Sequence, residues 1–231
     1  MKIFAISDLH MPGGTDKPMD VFGGNWTDHL SRIEADWRSR VTEDDVVLVS
    51  GDLSWAMDLP QALPDIAWLG TLPGKKIVVR GNHDYWWKSI SRIRDALPDG
   101  VYALQNDAVK IGNCVFCGSR GWTAEGSPDF TEEDKKILLR ENERMRLALK
   151  SAEKIREEGD ELYVLIHYPP FNVWRADSTL TALYEQNQVT GVVYGHLHGK
   201  DSRADLVLQK NSVRYYLTSC DLLGHTLAQI K

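Results

Sequence analysis

At five places in this 231-residue chain a short apolar run stops abruptly at a side chain able to bind a metal. The runs occupy residues 2–6, 46–50, 76–80, 161–166 and 191–194, and are rich in Val and Ile. Too short for buried helices and too uniformly apolar for strands with one wet face, they predict strands covered on both sides. Asp8 and His10 follow the first, and Gly51 and Asp52 the second. Gly81, Asn82, His83 and Asp84 follow the third, His167 the fourth, and Gly195, His196, Leu197 and His198 the fifth.

Helical patterns separate the runs. Residues 26–40 carry apolar positions at Leu30, Ile33, Ala35 and Trp37. Residues 60–69 predict a short helix with Pro60 in its first turn, where proline is tolerated. Residues 86–97 predict an amphipathic helix that stops before Pro98. Strands are then expected at 101–104, 108–111 and 114–118, with Gly112 and Asn113 as a turn between the last two. A long charged helix over 131–158 opens with Thr131, Glu132, Glu133 and Asp134, a strong start signal, and reads as a solvated face. Further strands are expected at 206–209 and 213–218. With no repeat, low-complexity stretch or linker, the expectation is a single α/β domain over residues 1–231.

In open α/β sheets, sites assemble beyond the carboxyl ends of the strands. Any one of the five loops is ordinary turn chemistry, since Asn, Asp and Gly are common in turns. All five together, each at a strand end, predict one convergent site. Carboxylate, imidazole and amide donors suit Mn²⁺, Fe²⁺ or Zn²⁺.

Composition narrows the partners. A formal net charge of −6 disfavours a surface for long nucleic acid, because such affinity rests on excess Lys and Arg. No apolar run approaches the ~20 residues needed to span a bilayer. The N-terminus is apolar only as far as Asp8, short for a signal peptide, so a cytoplasmic protein is expected. Three cysteines fit that compartment. Cys114 and Cys117 fall three apart in a predicted strand, so they point to opposite faces and read as buried structural thiols.

The ordered set Asp-x-His, Gly-Asp, Gly-Asn-His-Asp, His and Gly-His-x-His, running from residue 7 to 198, resembles the calcineurin-like metallophosphoesterases. The resemblance implies a four-layer αββα sandwich: two mixed β-sheets packed face to face, with helices outside. It also implies two divalent metal ions (Mn, Fe or Zn), with Asp8, His10 and His198 on one and Asn82, His167 and His196 on the other. Asp52 would bridge them. Two cations sharing a carboxylate and a hydroxide hydrolyse phosphate mono- or diesters by in-line attack. His83 would stand beside the metals as the acid for the leaving oxygen, with Asp84 as a possible orienting carboxylate.

Arg120, flanked by Ser119 and Gly121 after a predicted strand, is the candidate substrate-binding side chain, because guanidinium groups clamp phosphate. Arg175 is a weaker candidate, and Arg80 is read as packing near the site or closing a strand-end salt bridge. Five of the eight tryptophans (Trp55, Trp86, Trp87, Trp122 and Trp174) lie close to the motifs or these arginines. Packing is the favoured reading over stacking on a planar substrate. Residues 11–26, rich in Gly and Pro, are expected to form a loop at the pocket mouth, and His29 and His225 read as structural. The expected partner is a small phosphate ester, nucleotides among the candidates; monoester and diester, and the oligomeric state, stay open. Leu53, Ser54 and Trp55 replace the acidic residue some relatives carry after Gly-Asp. The competing readings are a scaffold that keeps the fold without catalysis and, among enzymes, a nuclease; the complete ligand set and His83 favour an enzyme.

Overall fold

The structure, a computed structural model, describes residues 1–14, 19–128, 130–199, 202 and 204–231. Strands β1 (Ile3–Ile6), β2 (Val46–Val49), β3 (Lys75–Val79) and β4 (Val101–Leu104) lie side by side and parallel. The short β11 (Ala228–Gln229) pairs antiparallel with β1 at the sheet edge. The second sheet runs β5 (Asp107–Ile111), β6 (Cys114–Ser119), β7 (Glu161–Ile166), β8 (Gly191–Tyr194), β10 (Val213–Leu217) and β9 (Val207–Lys210). Its four central strands are parallel and its two edge strands antiparallel.

Alternation along each strand builds the layers, since successive side chains point to opposite faces. Ile3, Ala5, Val46, Leu48, Ile77 and Val79 face Phe116, Tyr163, Leu165 and Val193 across the space between the sheets. The opposite faces, Phe4, Ile6, Val47, Val49 and Val78, pack on helices α1 (His29–Arg40), α2 (Leu59–Gly70) and α3 (Ile90–Ala96). On the far side, Val115, Leu162, Val164 and Ile166 pack on α4 (Glu132–Ile155) and α5 (Thr179–Gln186). This is the expected four-layer sandwich of two mixed sheets. Cys114 lies between the sheets and Cys117 beneath the outer helices, both buried and unbridged, as the strand alternation requires.

Several elements differ from the pattern-based expectation. The helix expected from residue 26 starts at His29, because the Trp26 carbonyl is taken by the His29 ring (3.1 Å) and Asp28 adopts a left-handed backbone (φ 51°). The helix expected from 86 starts at Ile90. Trp86 and Trp87 are each 1% exposed, and their indole N–H groups donate to Asp84 (3.0 Å) and Gln105 (2.8 Å), which holds them in a loop. Helix α4 is more than a solvated face: Met145, Ala148, Leu149 and Ala152 are buried against the second sheet, and so is Glu141. Helix α5 and strand β11 stand outside the pattern-based expectation. Within the expected loop at 11–26, residues 15–18 lie outside the described residues, and Met19–Phe22 and Gly24–Trp26 form 3-10 turns.

Register sets the site. Ile6 is level with Val49, Val49 with Val78, and Leu165 with Val193, so the loops after β1, β2, β3, β7 and β8 emerge at one end of the sandwich. A bridge between Ser7 and Ser219 joins the two sheets there, and the Ser7 N–H donates to the Thr218 carbonyl (2.8 Å).

Candidate metal centre

The five strand-end loops meet. Asp8, fully buried, accepts the Ser7 hydroxyl at 2.6 Å and the His196 backbone N–H at 3.1 Å. Asp52 accepts the His83 backbone N–H at 2.8 Å through Oδ1. Its Oδ2 lies 3.5 Å from His167 Nε2 and 4.0 Å from His10 Nε2, so it faces donors from both expected sets. Asp8, His10 and His198 can place one ligand atom each within 4.8 Å of one another, and so can Asp8, Asp52 and His167. Asn82 Oδ1 sits 2.6 Å from His167 Nε2 and 3.0 Å from His196 Nδ1.

Close approach demands glycine at two places. A Cβ on Gly81 would lie 2.0 Å from Asp52 Oδ1, and one on Gly195 would lie 2.4 Å from Asp8 Oδ2. The backbone is also bent into the left-handed region at Asp8 (φ 59°), His10 (46°), Asp52 (51°) and His196 (72°). Non-glycine residues seldom adopt it, and such strain clusters at functional sites.

The donor set fits cations. His167 Nδ1 is 2.9 Å from the Ser50 carbonyl and therefore carries the proton, leaving Nε2 a lone pair aimed at the Asn82 carbonyl oxygen. Burial keeps the imidazoles neutral: it lowers His167 and pushes His10 down to about 3 and His196 to about 4. Burial, with the like charges of Asp84 and Asp8, pushes Asp52 up to about 9. His10 Nδ1 is buried with no hydrogen-bond partner among the described residues. Facing lone pairs and crowded carboxylates are what divalent cations neutralise.

His198 behaves differently. Burial pulls its pKa down, but hydrogen bonds to Asp221 and Asp8 outweigh it and raise the ring to about 10. Its Nδ1 donates to Asp221 Oδ1 at 2.9 Å, leaving Nε2 facing Asp8 at 3.3 Å. Asp221 was missed in the sequence, although it stands just past the strand at 213–218, where the same strand-end rule would have found it.

The His83 ring, half-buried, stands beside the cluster, 5.7 Å from His10 and 4.7 Å from Trp55 between ring centres. Trp55 in turn stacks on His10 at 4.7 Å and 19°. Asp84 is buried and accepts four N–H groups: Gly81 (2.7 Å), Leu53 (2.9 Å), Ser54 (3.2 Å) and the Trp86 indole (3.0 Å). It ties the loops after β2 and β3 together. His29 and His225 each bond main-chain carbonyls, in keeping with structural roles. Trp86 and Trp87 are packing residues as expected, whereas Trp174 is 70% exposed.

Two cavities flank the cluster. One of about 690 Å³ adjoins His196 and is lined by Tyr168, Phe171, Tyr194 and the Arg175–Asp205 ion pair. The other, about 180 Å³, contains Arg80 and Arg120 and none of the seven expected ligands. Arg120 lies over Trp122 at 4.7 Å and donates to Glu141 at 3.3 Å. The strand-end salt bridge considered for Arg80 has no counterpart among the described residues, and its Nε is buried without a hydrogen-bond partner.

Three solved structures show the fold. A protein from Thermus thermophilus matches with a TM-score of 0.62 at 11% identity, over 98% of this chain and 96% of its own. A phosphopantetheinyl hydrolase from Mycobacterium tuberculosis matches at 0.57 and 15%, over 99% and 95%. A protein of unknown function from Aquifex aeolicus matches at 0.51 and 12%, over 99% and 95%. No curated protein sequence matches. The family model for calcineurin-like phosphoesterases matches residues 1–200, all five loops included. The chain belongs to the calcineurin-like phosphoesterase family.

Proposed function

We propose that the chain hydrolyses a small phosphate mono- or diester with the help of two divalent cations. The observation carrying this reading is the contact of His167 Nε2 and Asn82 Oδ1, lone pair against lone pair at 2.6 Å, with Asp52 Oδ2 3.5 Å from the same nitrogen, at the junction of five strand-end loops. Asp8, His10 and His198 would hold one cation and Asn82, His167 and His196 the other, with Asp52 placed to serve both sets. When bound, the pair supplies charge neutralisation at the phosphoryl oxygens and Lewis acidity toward water. The chain's own residues do the rest. His83 donates a proton to the leaving oxygen, and its half-exposure lets it reach a substrate and be reprotonated. Asp84 positions His83 through the backbone, by fixing Gly81 and the loop after β2. The 690 Å³ cavity beside His196 receives the organic part of the ester.

The deciding experiment is a Mn²⁺-supplemented assay of synthetic mono- and diesters, followed by nucleotides and sugar phosphates, with elemental analysis of the same protein. Two equivalents of metal and hydrolysis are expected. Negligible metal affinity with no hydrolysis would favour the non-catalytic scaffold.

Two variants refine the roles. His83→Ala should keep its metal content and slow turnover by about 10²–10⁴-fold, most for poor leaving groups, where protonation matters. Equal slowing across good and poor leaving groups would remove the acid role. Asp221→Asn should weaken metal binding by about 10–100-fold, the usual effect of losing the partner that orients a ligating histidine. Unchanged affinity in a competition with a chelator would place Asp221 outside the centre.

A further inference from the structure

We propose that the 180 Å³ cavity between the ends of β3, β4 and β6 and helix α4 is a second anion site, built for one tetrahedral phosphate-type group and distinct from the metal centre. Arg80, Lys88, Arg120 and Arg144 line it, against a single carboxylate, Glu141. That local excess of positive charge stands out in a chain of net charge −6. Glu141, 1% exposed, pairs through Oε1 with Arg144 at 2.5 Å and Arg120 at 3.3 Å, while its Oε2 is buried without a hydrogen-bond partner among the described residues, so four cations face one carboxylate. Arg80 has no ion-pair partner among the described residues.

The unmet donors point the same way. Arg80 Nε, Arg120 Nε and the hydroxyl of Ser119, itself 2% exposed, are buried without a hydrogen-bond partner among the described residues. Buried donors left unmet are costly, and an oxyanion supplies the acceptors they lack. Guanidinium groups match phosphate better than any other side chain. At about 180 Å³ the cavity has room for a phosphoryl group.

The walls are held in place. Arg120 rests on Trp122, whose indole donates to Asp134 at 2.8 Å, and the Trp87 indole donates to Gln105 at 2.8 Å. The cavity backs onto the metal centre: Arg80 precedes Gly81, and the Arg120 carbonyl accepts the His167 N–H at 3.0 Å. An occupant is therefore placed to stiffen the loops that carry Asn82 and His167.

Inorganic phosphate titrated into the full-length Asp52→Asn protein by calorimetry tests the site, with metal content measured on the same samples. Binding near one equivalent is expected to survive Asp52→Asn. Adding Lys88→Ala and Arg144→Ala, both at exposed positions, should weaken it at least tenfold, and so should Arg80→Met, which keeps the apolar stem. Circular dichroism confirms that each variant is folded. No binding in Asp52→Asn, or equal affinity in folded variants of the basic residues, overturns the proposal. Metal contents report separately on the centre, so failure of one reading is distinguishable from failure of the other. Adenosine monophosphate in place of phosphate identifies the source: binding by phosphate alone marks a free ion, and binding by both marks the phosphoryl group of an ester reaching in from solvent.

Discussion

Asp52→Asn is expected to strip the protein of both metals and lower kcat/KM by about 10³-fold or more, beyond the ~10–100-fold typical of outer-sphere losses. The size of the effect follows from position. Asp52 Oδ2 faces His167 at 3.5 Å and His10 at 4.0 Å, one from each proposed ligand set, so its charge would serve both cations. The amide keeps the shape and can still accept the His83 N–H through its oxygen. Folding should therefore survive, and in chelator-treated protein it should improve. A carboxyl raised to about 9 in the fold, from 3.8, binds more protons folded than unfolded between those values. Wild-type stability then falls as pH rises from about 4 to 9, and the asparagine variant should lack that slope. Elemental analysis and urea unfolding across pH check both halves. Two metals retained per chain would remove Asp52 from the bridging position.

Asp84→Ala is expected to cost about 4 kcal/mol of stability, through one buried carboxylate that accepts four N–H groups. Each buried donor left unmet costs about 1–3 kcal/mol, and partial relaxation keeps the total below the sum. Asp84→Asn should fall between, because its oxygen can still serve Leu53, Ser54 and Trp86 while its NH₂ meets the Gly81 N–H. Activity should drop with stability, since Gly81 carries the turn that presents Asn82 and His83. Urea unfolding of both variants decides. A loss under 1 kcal/mol in the alanine variant would mean that solvent replaces the carboxylate.

The fold was legible where burial is two-sided. Runs such as Val46 to Val49 and Gly191 to Tyr194 have no other stable use, and the residues ending them mark the site. Legibility failed where side chains compete for the backbone or for one another. The expected helix start at Trp86 was lost to indole bonds with Asp84 and Gln105, which lie at distances no local pattern encodes. Asp221 stands just past a strand end like the other site residues, but alone in its loop, and its contact with His198 spans 23 positions. Glu141 looked like one more charge on a solvated helix, and only the packing of α4 on the second sheet reveals it as buried. Arg120 lines a cavity apart from the seven expected ligands, a placement the strand-end rule does not give, because it predicts where a backbone goes and not which way a long side chain turns.

If the cluster binds two cations as proposed, the left-handed backbone at Asp8, His10, Asp52 and His196 would make the protein's heat resistance a gauge of its cation supply. Each such residue costs about 1 kcal/mol, a debit that the fold carries before any ion arrives. Cations that bind only the folded chain offset it by mass action, about 2.7 kcal/mol at a hundredfold excess over Kd. Melting temperature should therefore climb with free metal concentration and rank Mn²⁺, Fe²⁺ and Zn²⁺ by affinity, with no substrate in hand.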